Sequence, residues 1–200
     1  DQYRTLQAHW ASWGYLVASV DSTELNCTPS SGQNLIDRSE HQLAAIEALV
    51  AMGEDPESPL YQRVDPSRVV VAGHSRGGGA TLVSASREGV DIGALITLQG
   101  VDTTHHDLGT PLFEIPALGI TASRDRDLAY PYVEATEEQL VGPYSWVTIF
   151  GAIHAWTGED IPLEADDDPG IERHQQHDVT EFYTTAFLAH IAGRHYYEPV

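Results

Sequence analysis

A serine set between two glycines is the residue of this chain whose type and setting most clearly suggest chemistry. Ser75 lies between Gly73 and Gly77, directly after the β-branched run Val69–Val71 and before a helix-compatible stretch. This is the strand–turn–helix setting of a nucleophile elbow, in which a sharp turn exposes the serine hydroxyl. We therefore expect Ser75 to act as a nucleophile, and side chains at Gly73 or Gly77 to collide with neighbouring backbone. The alternative is a glycine-rich structural turn.

A serine hydroxyl needs a base within hydrogen-bond reach, and ten histidines compete for that role. His154 is preferred because it follows the predicted strand Trp146–Phe150, in a loop that should reach the carboxyl edge of the sheet. His105 and His106 also follow a strand and are the alternative base, although we expect them rather to line the cleft or to face solvent. His74, inside the elbow, is interpreted as structural.

Two carboxylates could orient that histidine and stabilise its protonated form. Asp125 and Asp127 both follow the predicted strand Ala117–Ala122. They are two residues apart and share a face in an extended segment, so the sequence pattern does not separate them. The oxyanion of the transition state should bind the backbone N–H of Arg76 at the start of the elbow helix. The Arg76 side chain could bind a substrate carboxylate or phosphate, but we expect it to pair with an acidic group of the protein.

Metal and cofactor chemistry finds little support in the sequence. His174 and His177 have a spacing that could hold a metal on one helix, but no third ligand is evident and a solvated helix start is preferred. The acidic run Asp166–Asp168 lacks the glycine turn of a dedicated calcium loop and is interpreted as solvated. We therefore expect no metal and no cofactor.

The remaining pattern is an alternation of helices and strands, which indicates an α/β protein with a mostly parallel sheet flanked by helices. The predicted helices are Tyr3–Trp13, Asn34–Met52, Gly78–Glu88, about Tyr132–Val141 and His174–Arg194. The predicted strands are Tyr15–Val20, Val69–Ala72, Ile92–Leu98, Ala117–Ala122 and Trp146–Phe150. Asp21–Gln33 is predicted as a loop and Gly53–Ser67 as a connection.

Composition limits the possible partners. The 200 residues suit a single domain over 1–200, and 30 acidic residues face 10 basic ones, all arginine. The net charge of −20 repels nucleic acid and anionic membrane surfaces, and no apolar run is long enough to span a membrane. No signal peptide is visible, but the chain opens at Asp1 without methionine, so a leader is compatible with the sequence. We expect a secreted or extracytoplasmic monomer in which Cys27 forms no internal disulfide.

Four motifs together resemble the α/β-hydrolase superfamily, and within it the bacterial cutinase and polyester hydrolase branch with its chlorophyllase-like neighbours. They are Trp10–Val17, Gly73–Gly79, Asp127–Pro131 and Gly151–His154, and the Ser, Asp and His occur in the family's order. The resemblance implies Asp127 as the acid, because the family's aspartate lies four residues before a proline. It also implies further strands and a second oxyanion donor upstream of Asp1.

The resemblance also implies where the substrate cleft lies. Val101 corresponds to a tryptophan of the polyester-cleaving members and Arg76 to their methionine. Val101, His105, His106 and Trp156 are expected to line the cleft. The expected function is a serine carboxylic-ester hydrolase acting on short-to-medium acyl esters, with polyesters as a second substrate class. The alternative is a non-catalytic hydrolase-fold domain that binds a ligand or partner.

Overall fold

The structure is a computed structural model that describes residues 2–87, 89, 91–106, 108, 113–127, 136–163 and 167–193. Within those residues, one four-stranded sheet has the order β1-β2-β3-β4, and every neighbouring pair is parallel. The strands are β1 Val70–His74, β2 Ala94–Leu98, β3 Ala117–Ala122 and β4 Tyr144–Ile149. The α-helices are α1 Arg4–Ser12, α2 Gly32–Glu54, α3 Arg76–Ala85 and α4 Arg173–Ile191. Short 3₁₀ turns occupy Thr23–Cys27, Pro66–Arg68, Thr104–His106 and Ala155–Thr157.

Alternation along the strands divides the core between the two faces of the sheet. On one face, Ile96 and Leu98 of β2 pack with Leu6 and Trp10 of α1 and with Leu188 of α4. The indole Nε1 of Trp10 also donates to Thr184 Oγ1 at 2.9 Å, which ties α1 to α4.

The other face is covered by α2 and α3. There Leu95 of β2 packs with Val71 of β1 and Leu82 of α3, and Leu43 and Ile46 of α2 lie against the same cluster. Helices therefore cover both faces of the sheet, as a parallel sheet requires, and the predicted α/β class is confirmed.

One predicted strand is wrong. Residues 15–22 carry no strand assignment, although Tyr15 and Val17 pack against the core and Leu16 is exposed. The nearly continuous apolar run at 15–20 therefore packs on the core as a coil segment, because no described strand provides it with a backbone ladder. Of the predicted helix at about 132–141, residues 132–135 lie outside the described part and 136–139 are helical. Among the described helices, none combines the length and apolar character that crossing a bilayer demands.

Candidate active site

Ser75 connects β1 to α3 in a strained turn. Its φ of 55° and ψ of −123° place a non-glycine residue in a region that L-residues rarely adopt. The turn is held by backbone hydrogen bonds: the Ser75 N–H donates to the carbonyl of Leu98 at 3.0 Å, and the Ser75 carbonyl accepts from Gly79 and Val101. The serine therefore sits at the carboxyl edge of the sheet, fixed to the end of β2.

The two glycines that flank Ser75 have different roles. A Cβ on Gly73 would overlap the backbone of Gly77, whereas a Cβ on Gly77 would meet nothing within 4 Å. The expectation of a collision is confirmed at Gly73 and wrong at Gly77, because the crowding arises where α3 turns back over β1. Gly78 is needed for another contact, since its Cβ would lie 2.7 Å from the Cα of Gly100.

This difference gives a matched pair of variants. Gly73→Ala should lower the free energy of unfolding by about 3 kcal/mol or more, because the clash is with backbone that cannot rotate away. Gly77→Ala should be neutral or stabilising by up to about 1 kcal/mol, since alanine favours helix over glycine. Urea unfolding followed by tryptophan fluorescence measures both, and equal stability of the two variants would contradict the elbow geometry.

His154 lies after β4, at the same carboxyl edge as Ser75. It is only 6% exposed, and its Nδ1 lies 2.8 Å from Oδ2 of Asp125, whose side chain is 10% exposed. The other Asp125 oxygen, Oδ1, accepts the backbone N–H of Asp127 at 3.0 Å. Both oxygens of this carboxylate are therefore fixed, and the ring of His154 is oriented through Nδ1.

Asp127 faces the opposite ring nitrogen. Its Oδ2 lies 3.3 Å from His154 Nε2, and its side chain is 63% exposed. In a serine–histidine–aspartate arrangement Nε2 must accept the serine proton, while Nδ1 binds the carboxylate. The geometry therefore favours Asp125, the alternative at the sequence level, over Asp127 as the orienting carboxylate. The rest of the Asp127–Pro131 motif, from residue 128 onward, lies outside the described residues.

His74, the residue before Ser75, contacts both His154 and Tyr3. The rings of His74 and His154 lie 4.4 Å apart between centroids, and the Tyr3 hydroxyl lies 2.7 Å from His74 Nδ1. Burial, and then the charge of His154, lower the pKa of His74 well below its usual range, while burial raises the pKa of Tyr3 to about 12. Tyr3 thus stays protonated and donates to a neutral His74. The structural interpretation of His74 agrees with these contacts.

Two glutamines that the sequence interpretation missed hold the His154 loop. Gln176 of α4 is fully buried; its Oε1 accepts the N–H of Ile153 at 3.1 Å, and its Nε2 donates to the Ile153 carbonyl at 2.9 Å. Thr157 Oγ1 donates to the side chain of Gln99, just after β2. The sequence could have drawn attention to Gln176, because it is a polar residue on the apolar face of the last predicted helix. Nothing in the sequence identifies the group that it binds.

The predicted cleft residues do not all lie together. Val101 is 8% exposed and packs with Leu35 and Val83, so it belongs to the interior between α2 and α3. His106 Nε2 lies 3.4 Å from Ser30 Oγ, and the side chain of His105 is outside the described residues. Trp156 is half-buried two residues after His154, with the guanidinium of Arg173 5.7 Å from its ring centroid.

Arg76 directly follows Ser75 and begins helix α3. The backbone N–H of Arg76 is the first of this helix, and it has no hydrogen-bond acceptor among the described residues.

The residues considered as metal ligands have different surroundings. His177 Nε2 donates to the Trp156 carbonyl at 2.8 Å, while His174 is exposed. Asp168 pairs with Arg124 at 3.1 Å, and Asp166 lies outside the described residues. No group of three potential metal ligands occurs in the described part of the chain.

Comparison with known proteins decides the family. A family model described as PET hydrolase-like, the PETase family, matches residues 3–154. The chain belongs to the PET hydrolase-like family. The matched range contains the elbow, both aspartates and the loop histidine, so the resemblance drawn from the four motifs is confirmed.

Two curated relatives match shorter parts of the chain. A bis(hydroxyethyl) terephthalate hydrolase of Streptomyces coelicolor is 32% identical over 124 residues, which are 61% of this chain and 36% of that protein. Cutinase 2 of Thermobifida cellulosilytica is 35% identical over 88 residues, 44% of this chain and 30% of that protein. The chain thus spans about a third of the length of these relatives.

Solved structures show the same fold at lower identity. A single-residue variant of Arabidopsis thaliana SOBER1 has a TM-score of 0.54 and 16% identity, with 82% of this chain and 68% of that chain covered. A ferulic acid esterase from Streptomyces cinnamoneus has a TM-score of 0.57 and 20% identity, with 80% and 48% covered. This PET hydrolase-like chain therefore has the α/β-hydrolase fold.

Proposed function

We propose that this protein is a serine hydrolase of carboxylic esters. The observation that carries the proposal is the hydrogen bond between the buried Asp125 carboxylate and His154 Nδ1, at the sheet edge where the strained Ser75 turn lies. In this proposal Ser75 Oγ forms a bond to the acyl carbon while Nε2 of His154 takes the hydroxyl proton. The C–O bond to the alcohol then breaks, and His154 returns the proton to the departing alkoxide.

The second half of the reaction repeats these steps with water. Water gives a proton to His154 Nε2 while its oxygen bonds to the acyl carbon. The bond from that carbon to Ser75 Oγ then breaks, His154 returns the proton to Oγ, and the carboxylic acid is released. Asp125 holds the ring with Nε2 facing the reacting oxygen and stabilises the imidazolium. The N–H of Arg76, which has no acceptor among the described residues, donates to the oxyanion, where the N-terminus of α3 also favours negative charge. No step uses a cofactor or a metal.

The substrates we propose are short-to-medium acyl esters, with polyesters as a second class. The names of the two curated relatives and of the ferulic acid esterase support ester chemistry. Because position 101 is valine, a polyester lacks the aromatic contact that the family resemblance would place there. We further propose that the protein is a monomer and that it works outside the cytoplasm.

Labelling with a fluorophosphonate probe tests whether Ser75 is activated. The probe phosphonylates a serine whose hydroxyl is deprotonated by a neighbouring base, and an unassisted hydroxyl reacts far more slowly. We expect stoichiometric labelling that peptide mapping places on Ser75, and a strongly reduced rate in His154→Gln. A folded protein that takes up no label would instead support the non-catalytic ligand-binding alternative.

A further inference from the structure

Arg76, the residue after Ser75, carries a positive charge that two backbone carbonyls hold in place. Its Nη1 donates to the carbonyls of Leu25 at 3.3 Å and Thr28 at 3.0 Å. No carboxylate of the described residues lies within 4.0 Å of it, so the expected pairing of Arg76 with an acidic group does not occur within the described part of the chain. Three other arginines, Arg4, Arg68 and Arg124, do form such pairs.

A second guanidinium reinforces the local positive charge. Arg38 is only 8% exposed, and the amide oxygens of Asn34 and Asn26, both neutral, accept from it at 2.9 and 2.8 Å. Burial lowers the pKa of Arg38, and the neighbouring charge of Arg76 lowers it further. The two cations therefore lie close enough for their charges to interact, and no described carboxylate pairs with either, in a chain whose net charge is −20. A guanidinium that no carboxylate of the described residues neutralises can bind an anion supplied by another molecule.

The free donors of Arg76 suit a carboxylate. Its Nε and Nη2 have no acceptor among the described residues, while the two loop carbonyls hold Nη1 in place. A guanidinium fixed in this way can bind both oxygens of a carboxylate with little loss of side-chain freedom. Arg76 is half-buried and directly follows Ser75, so such a carboxylate would belong to the molecule whose ester bond lies at the serine.

We propose that the preferred substrate is an ester that carries a carboxylate, on its acyl or its alcohol part, and that Arg76 determines this specificity. The inference rests on the proposed ester hydrolysis. Its own test is a specificity ratio, which is the kcat/KM of an anionic ester divided by that of a neutral ester of the same shape. Because both esters use the same serine and oxyanion hole, any general change in catalysis cancels in this ratio.

Two substrate pairs measure the ratio for the two positions of the carboxylate. Monomethyl terephthalate and methyl 4-acetylbenzoate differ in charge on the acyl side, and 4-acetoxybenzoate and 4-acetylphenyl acetate differ on the alcohol side. In Arg76→Gln the ratio should fall about ten-fold or more for one pair, because a charge-assisted contact is lost. Arg76→Lys should retain part of the preference for the anionic ester, since the positive charge remains but the planar set of N–H donors is lost.

Arg87→Gln is the matched control. Arg87 is exposed just beyond the other end of α3, so this variant removes the same charge away from the serine and should leave the ratio unchanged. The wild type offers a test without any substitution: 4-acetylbenzoate should inhibit neutral-ester turnover about ten-fold more strongly than 4-acetylbenzamide. Equal inhibition, or an unchanged ratio in Arg76→Gln for both pairs, would overturn the inference while ester hydrolysis stands. Failure of the wild type to hydrolyse any of the four esters would refute the proposed function itself.

Discussion

Ser75→Ala should lower the turnover of a short-chain 4-nitrophenyl ester by roughly 10⁴-fold or more. The hydroxyl is the only group that the proposal allows to bond to the acyl carbon, and a water molecule in its place would lack the same fixed position. The substitution keeps the Cβ, so the strained backbone of the turn, with its φ of 55°, experiences no new clash. The loss should therefore appear in kcat at unchanged thermal stability.

Ser86→Ala provides the control for this variant. Ser86 follows the other end of α3 and its hydroxyl donates to the Val83 carbonyl, remote from the elbow in sequence. Its activity should equal that of the wild type. If Ser75→Ala kept most of the wild-type activity, Ser75 could not be the nucleophile and the hydrolysis would have to proceed through another group.

Much of the fold is readable from local pattern. The buried strands β2 and β3 consist of apolar runs with clear ends, and the elbow joins β1 to α3 within one continuous motif. Each of these follows from residues adjacent in sequence, so sequence alone suffices. The segment 15–20 shows the limit of such reasoning. An apolar run indicates that a segment packs against the core, whereas a strand also needs hydrogen bonds to a neighbouring strand, which no local pattern predicts.

The candidate site also divides into a predictable and an unpredictable part. The positions of Ser75 and His154 could be predicted because each follows a strand, and parallel strands bring their carboxyl ends to one edge. The supports of the site come from distant parts of the chain: Tyr3 reaches His74, and Gln176 reaches the backbone of Ile153. Such contacts depend on how helices pack on the sheet. The sequence therefore does not indicate which residues Tyr3 or Gln176 will contact.

The choice between the two aspartates depends on side-chain directions in a turn, which a spacing of two residues does not specify. The variants Asp125→Asn and Asp127→Asn make the choice experimentally, since they change the same chemical group and the same charge. Asp125→Asn should lower kcat/KM by roughly 10⁴-fold, because an amide can stabilise neither the required tautomer nor the imidazolium. Its carboxylate is almost fully buried, so little solvent screening weakens this effect.

Asp127→Asn should change kcat/KM by no more than a few fold. Its carboxylate is largely exposed and lies on Nε2, the nitrogen that must accept the proton of Ser75. An amide there removes a competitor for Nε2, so we expect any change to be an increase. Both variants require pH–rate profiles and a melting curve, to separate lost chemistry from lost folding. If Asp127→Asn gave the 10⁴-fold loss and Asp125→Asn did not, the turn after β3 would have to rearrange during catalysis so that Asp127 reaches Nδ1, as the family motif implies.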